Sequence, residues 1–123
     1  MNKEQLNALR EVPEDQEVVM LNLLKYKDKV EETGLTGEAS YKQYMKAAIP
    51  FFEKTDAEII FFGRPLLTLI GPEDETLWDD MLLVKYKNHG EFFKMVSAED
   101  YPAKLRERSL QDSRLIYCKS HTK

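Results

Sequence analysis

Asn22 sits inside an apolar run, "MLNLLKYK" at 20–27, that returns one residue shorter as "MLLVKYK" at 81–87. Aligned on the shared Lys-Tyr-Lys, the amide stands where the second copy carries Leu82. A buried amide without partners costs about 1–3 kcal/mol, so something must satisfy it. Two readings stand: a structural bond to backbone or a nearby tyrosine, or a group that orients a ligand between sheet and helices. Trp78 and Asp79 enter the second copy together. The indole is either core or dimer contact, or a pocket wall with its N–H as donor. Asp79 is either a general base or a strand-entry cap. Arg106, in "LRERSL", offers a planar fork suited to a carboxylate, and an ion pair with Asp79 or Asp112 would use it equally well. Tyr41 and Tyr44 fall on one helix face, where core packing with the hydroxyls at the rim is the plain expectation.

Other chemistry is poorly represented. The two histidines, His89 at a helix start and His121 in the tail, do not form a cluster with carboxylates, so no metal site is expected. The chain has no Gly-rich phosphate loop, G-x-S-x-G elbow or paired carboxylates, and no catalytic residue is assigned. No cofactor is expected. Cys118 is alone, which rules out an internal disulfide and reads as a small hydrophobe at a strand end.

These side chains must be positioned by one domain spanning 1–123, with 42% hydrophobic and 33% charged residues. The net charge of −4 argues against a nucleic-acid partner. No run reaches membrane-spanning length and the first residues lack a signal-peptide core, so a cytoplasmic protein is expected.

A short extra helix over 2–10 starts at Asn2. Val18–Tyr26 reads as a strand buried on both faces. From Glu38 the apolar residues Tyr41, Tyr44, Met45, Ala48 and Phe52 follow helical spacing, with Pro50 expected to kink or end the helix. Residues 57–71, "AEIIFFGRPLLTLIG", read as a long strand interrupted at Gly63 and Pro65, hence an edge. A strand at 79–86 follows. Asn88 and Glu91 form a capping box, and Ser97–Asp100 a second one opening a helix to about Leu110. Ser113–Cys118 is the last strand, and the tail 119–123 is expected to be mobile.

Strand–helix–strand therefore occurs twice, and the repeat starts each half. The pattern predicts an α+β domain, the ferredoxin-like split βαβ with a four-stranded antiparallel or mixed sheet. Its first and third strands should be central and parallel neighbours, and its second and fourth should be edges. Helices cover one face only, so Leu21, Leu23, Met81 and Leu83 would face water in a monomer. A homodimer through the sheet face follows.

The stretches "VVMLNLLKYK" (18–27), "YKQY" (41–44), "LIGPEDETLWDDMLLVKY" (69–86), "FFKMVSAEDY" (92–101) and "LRERSLQDSRLI" (105–116) resemble the DUF1330 family, proteins of unknown function grouped with dimeric α/β barrels. The resemblance spans nearly the whole chain and implies a dimeric barrel without an established substrate. Arg106 matches the family's arginine ahead of Leu110, and Arg108 does not. The chain departs from the family at Thr55-Asp56-Ala57, where Gly-Gly is frequent, and at Tyr86-Lys87-Asn88, where Tyr-Pro-Ser is frequent. Both are turn positions and bear on loop shape.

Two functions stay open. One is a metal-free enzyme acting on a small anionic or aromatic organic compound. The other is a non-catalytic ligand-binding or structural homodimer. A cavity where Asn22, Tyr44, Trp78 and Arg106 converge would separate a ligand site from a filled core.

Overall fold

The computed structural model describes residues 1–121. The expected mobile tail at 119–123 therefore ends in two residues, Thr122 and Lys123, that lie outside the described residues. Helix α1 (Lys3–Arg10) is capped by the Asn2 side chain, which accepts from the Gln5 amide, and it buries Leu9. Strand β1 (Val18–Tyr26) leads through a polar loop into α2 (Gly37–Glu53). Thr36 caps α2 by accepting from the Ala39 amide.

Pro50 does not end α2, which runs on to Glu53. It falls in the last turn, where its missing N–H removes only one ladder bond. Strands β2 (Glu58–Gly63) and β3 (Asp80–Tyr86) are joined by the long segment 64–79. The expected strand over 57–71 therefore stops at Gly63, since the proline at 65 has no amide to extend a ladder.

Helix α3 (His89–Val96) begins where Asn88 accepts from the Glu91 amide, as its capping box predicts. The second box does not form. Ser97 ends α3 instead, its hydroxyl donating to the Phe93 carbonyl at 2.6 Å. Asp100 takes a left-handed φ of 67°, and α4 (Ala103–Ser109) starts only after Pro102. Strand β4 (Leu110–Cys118) then begins three residues earlier than the sequence suggests.

The sheet order is β2-β3-β1-β4, so the repeated strands are the central pair and β2 and β4 are the edges. Their direction differs from expectation: β1 and β3 are antiparallel. The crossover through α2 makes β1 parallel to β2. Strand β3, antiparallel to β2, is inserted between them and opposes both. Asn22 pairs with Leu82, so the two positions equated by the repeat also face each other at the centre of the sheet. This four-stranded antiparallel sheet with four helices is an α+β, ferredoxin-like fold.

Burial alternates along both central strands, with Val18, Met20, Asn22, Leu24 and Tyr26 buried and their neighbours half-buried. In a single chain, then, only the helix-facing side is fully covered. The registers line up Phe61, Leu83, Leu21 and Ile116 as one apolar row across all four strands on the other face. Phe61 is 50% exposed and Ile116 43%. The core proper lies under the helices in two groups. One surrounds Val18, Met20, Leu82, Tyr86 and Phe92. The other is formed by Leu24, Tyr26, Tyr41, Tyr44 and Leu110.

Candidate functional site

Between the helix-facing side of the sheet and α2, α3 and α4 lies a cavity of about 790 Å³. Its floor is the row Met20, Asn22, Leu82 and Val84, and Tyr41, Tyr44 and Met45 descend from α2. Its rim at the β4 side is formed by the exposed residues Glu107, Gln111, Asp112 and Leu115. A second hollow of about 570 Å³ under α1 shares Met20, Phe92 and Leu115 with it. The walls are mainly apolar, with a few polar groups, as ligand sites tend to be.

The polar groups converge at one corner. Arg106 Nη2 donates to Asn22 Oδ1 at 3.3 Å, and Asn22 Nδ2 donates to the Leu82 carbonyl at 3.4 Å. Both bonds are long for N–H···O. The charge of Arg106 also reaches the Tyr41 phenol, where it opposes the effect of burial. Neither carboxylate considered from the sequence takes Arg106. Asp112 pairs with Arg114 at 2.6 Å, and Asp79 with Lys25 at 3.6 Å. Among the described residues, Arg106 has no carboxylate in ion-pair range.

The other sequence candidates separate clearly. Tyr44 lines the cavity, and its hydroxyl is hydrogen-bonded to that of Tyr101. Trp78 does not line it. Its ring lies 5.2 Å from the guanidinium of Arg114, which pairs across the sheet with Leu23 on the side away from the helices. The indole therefore belongs to the face that carries Leu21, its position in the chain having said nothing about which face it would take. Asp79 has the strand-entry role, its Oδ2 accepting from the Tyr26 amide at 2.9 Å. His89 starts α3 with its ring beside Phe93, both ring nitrogens buried without a partner among the described residues.

Sequence reasoning missed Tyr101 and a polar chain at the far end of α2. There Tyr26 donates to the buried Asp80 at 2.5 Å, and Arg64 reaches both Asp80 and Glu38 at 3.1 Å. One available signal was the tyrosine shared by both Lys-Tyr-Lys copies. It ends each central strand on the buried face.

Burial sets the behaviour of these tyrosines. It pushes the Tyr41 phenol up to about 12, with Arg106 opposing the shift. Burial, reinforced by a hydroxyl or carboxylate partner, raises Tyr44 and Tyr26 further. Burial also raises Tyr86. The folded state thus holds protons that the unfolded chain releases near pH 10. This contribution to stability is complete below that pH and is lost as pH rises from there through the higher folded-state values. For Tyr41 alone the span from 10 to 12 is worth on the order of 2–3 kcal/mol. We expect melting temperature to drop steeply above pH 10, with absorbance at 295 nm rising together with loss of helix signal. Tyr41→Phe should flatten that slope.

Comparisons with known proteins agree with this fold. The chain is 28% identical to the RPA0582 protein of unknown function from Rhodopseudomonas palustris. The match covers 100% of this chain and 96% of that one, with a TM-score of 0.85. A dimeric ferredoxin-like protein of unknown function from Thermobifida fusca superposes at TM-score 0.53 with 14% identity, over 85% of this chain and 92% of that one. SnoaB, a cofactor-independent oxygenase from Streptomyces nogalater, does so at 0.56 with 13% identity, over 88% and 96%. The last two show a shared fold. No family model matches the chain, and no curated protein does. No helix among the described residues is long and apolar enough to cross a membrane.

Proposed function

We propose that this protein binds a small, largely apolar organic anion in the cavity of each subunit, with Arg106 holding the anion and Asn22 orienting its polar end. Arg106 carries the proposal. It is a half-buried guanidinium in an apolar cavity, held by the Asn22 amide, with no carboxylate among the described residues to neutralise it. An arginine so placed retains donors for a carboxylate or enolate oxygen. Tyr44 shapes the wall beside them. The open cavity supports a ligand site over a filled structural core. DUF1330 membership is part of the same reading, since its order of motifs fits the fold that the chain shares with uncharacterised ferredoxin-like proteins. So is a homodimer through the sheet face, supported by the apolar row Phe61, Leu83, Leu21 and Ile116.

The test is Asn22→Leu, which copies the twin strand. It should leave the circular dichroism spectrum unchanged and the melting temperature within a few degrees. Affinity for 2-naphthoate, a fluorescent apolar carboxylate, should fall at least tenfold. Loss of folding would show instead that the amide is structural, and unchanged affinity in both Asn22→Leu and Arg106→Leu would refute the assignment.

A further inference from the structure

The segment after β2 makes almost no use of its own chain. Its two ends are pinned. Arg64 is paired with Asp80 and Glu38. At the other end the Asp79 amide donates to the Leu24 carbonyl, and Lys25 Nζ donates to that of Leu77. Between these anchors, residues 65–71 make no hydrogen bond among the described residues. Leu66, Leu67, Leu69 and Ile70 are 75%, 80%, 89% and 96% exposed. A loop of this length is uncommon unless it is functional, and four adjacent aliphatic side chains in water mark a contact surface. The stretch 65–71 carries no charge, so burying it desolvates no ion.

We infer that this segment is an arm that crosses to a second copy of the chain, lies along that copy's β4 edge and closes the mouth of its cavity. The inference rests on the homodimer and the ligand cavity proposed above. In the single chain the arm does not lie on its own β4: it leaves from the opposite edge of the sheet, and Leu66, Leu67, Leu69 and Ile70 stand in solvent. Seven extended residues span roughly 23 Å, against about 10 Å between stacked sheets, so a partner packed on the sheet face is within reach.

Strand β4 is a fitting receptor. It is an edge nine residues long with its outer backbone groups unpaired by the sheet. Leu115 and Ile116 on it are 40% and 43% exposed. Leu115 pairs with Asn22 and lines the cavity, so an arm seated there stands one strand from the Asn22–Arg106 corner. Its aliphatic side chains would exclude water from the side where the single chain leaves the cavity open. Each ligand site would then be built from two chains.

Cross-linking tests the placement directly. In a Cys118→Ser background, Leu115→Cys is combined with Leu67→Cys or with Leu69→Cys, and the protein is oxidised mildly. The expected result is a dithiothreitol-sensitive covalent dimer on a denaturing gel for at least one pair. Monomer only, from protein that light scattering shows to be dimeric, overturns the inference. A second measurement separates it from the ligand reading. Leu69→Glu with Ile70→Glu should weaken 2-naphthoate binding at least tenfold. If affinity is unchanged in that variant but lost in Arg106→Leu, the arm is not part of the site and the ligand assignment stands. If Arg106→Leu also binds normally, the ligand assignment fails, and the cross-link alone decides where the arm lies.

Discussion

Gly37→Ala is expected to prevent folding or to lower the melting temperature by on the order of 10 °C. Gly37 opens α2 at the point where three backbones meet. Its amide donates to the Lys27 carbonyl at 2.8 Å, and the Lys27 amide donates to the Ser109 carbonyl at 3.0 Å. A Cβ at this position would stand 2.4 Å from both Lys27 N and Lys27 O and 2.5 Å from Ser109 O. None of these atoms ends a flexible side chain, so relief requires moving β1, α2 or α4. Overpacking of this kind costs about 1–3 kcal/mol and sometimes more, and each kcal/mol shifts the melting point of a small domain by several degrees. The hydroxyls of Ser40 and Ser109, 2.6 Å apart, sit in the same junction and would be displaced with it. Gly34→Ala is the control. It has open space around it and a φ of +75°, so strain of about 1–2 kcal/mol is all that is expected. Thermal melts followed by circular dichroism compare the two. Equal, small shifts would mean that the junction is looser than its distances indicate.

The second large effect is expected from Leu21→Glu. Leu21 is flanked by Leu83 on β3 and Ile116 on β4, and Phe61 extends the row. A carboxylate there has no cation directly opposite it on either neighbouring strand, and burying it unpaired in a sheet-to-sheet interface costs several kcal/mol. Light scattering should show the mass falling from two chains to one, or the variant should fail to fold. Leu23 is a weaker choice for this test, because its cross-strand neighbour is Arg114, which could pair with an introduced glutamate. A wild-type mass of one chain at micromolar concentration would remove the sheet-face dimer altogether. A Leu21→Glu protein that stays dimeric would move the interface elsewhere.

How much of this was legible in the sequence depended on whether a signal was local. The strands at Val18–Tyr26 and Asp80–Tyr86, and the caps at Asn2 and Asn88, were readable because period and hydrogen-bonding side chains lie within a few residues of one another. The repeat also identified the central strands and put Asn22 and Leu82 in register. Strand direction was misread, because the crossover places β3 between two parallel strands, a fact of topology and not of composition. The run "PLLTLI" looks like a strand by propensity. Propensity reports fitness for a sheet, not the presence of a neighbour to pair with, and in a single chain this run has none. "SAED" met the pattern for a helix start, yet Ser97 closes the preceding helix, where its hydroxyl finds the Phe93 carbonyl. Among site candidates, Asn22, Tyr44 and Arg106 come together because strand alternation and helix periodicity fix their faces. Trp78 precedes its strand, outside either rule, and lies beneath Arg114 on the opposite side of the sheet.

An organic anion in the cavity around Arg106 and Asn22 is what the proposed function requires. Native mass spectrometry of the purified protein under gentle ionisation tests it most directly. The expected result is a dimer carrying up to one small molecule per subunit, an acid on release, present in the wild type and lost from Arg106→Leu at unchanged dimer mass. A wild-type protein that stays bare after incubation with a library of aromatic and aliphatic carboxylates would contradict it. So would a bound molecule retained equally by Arg106→Leu.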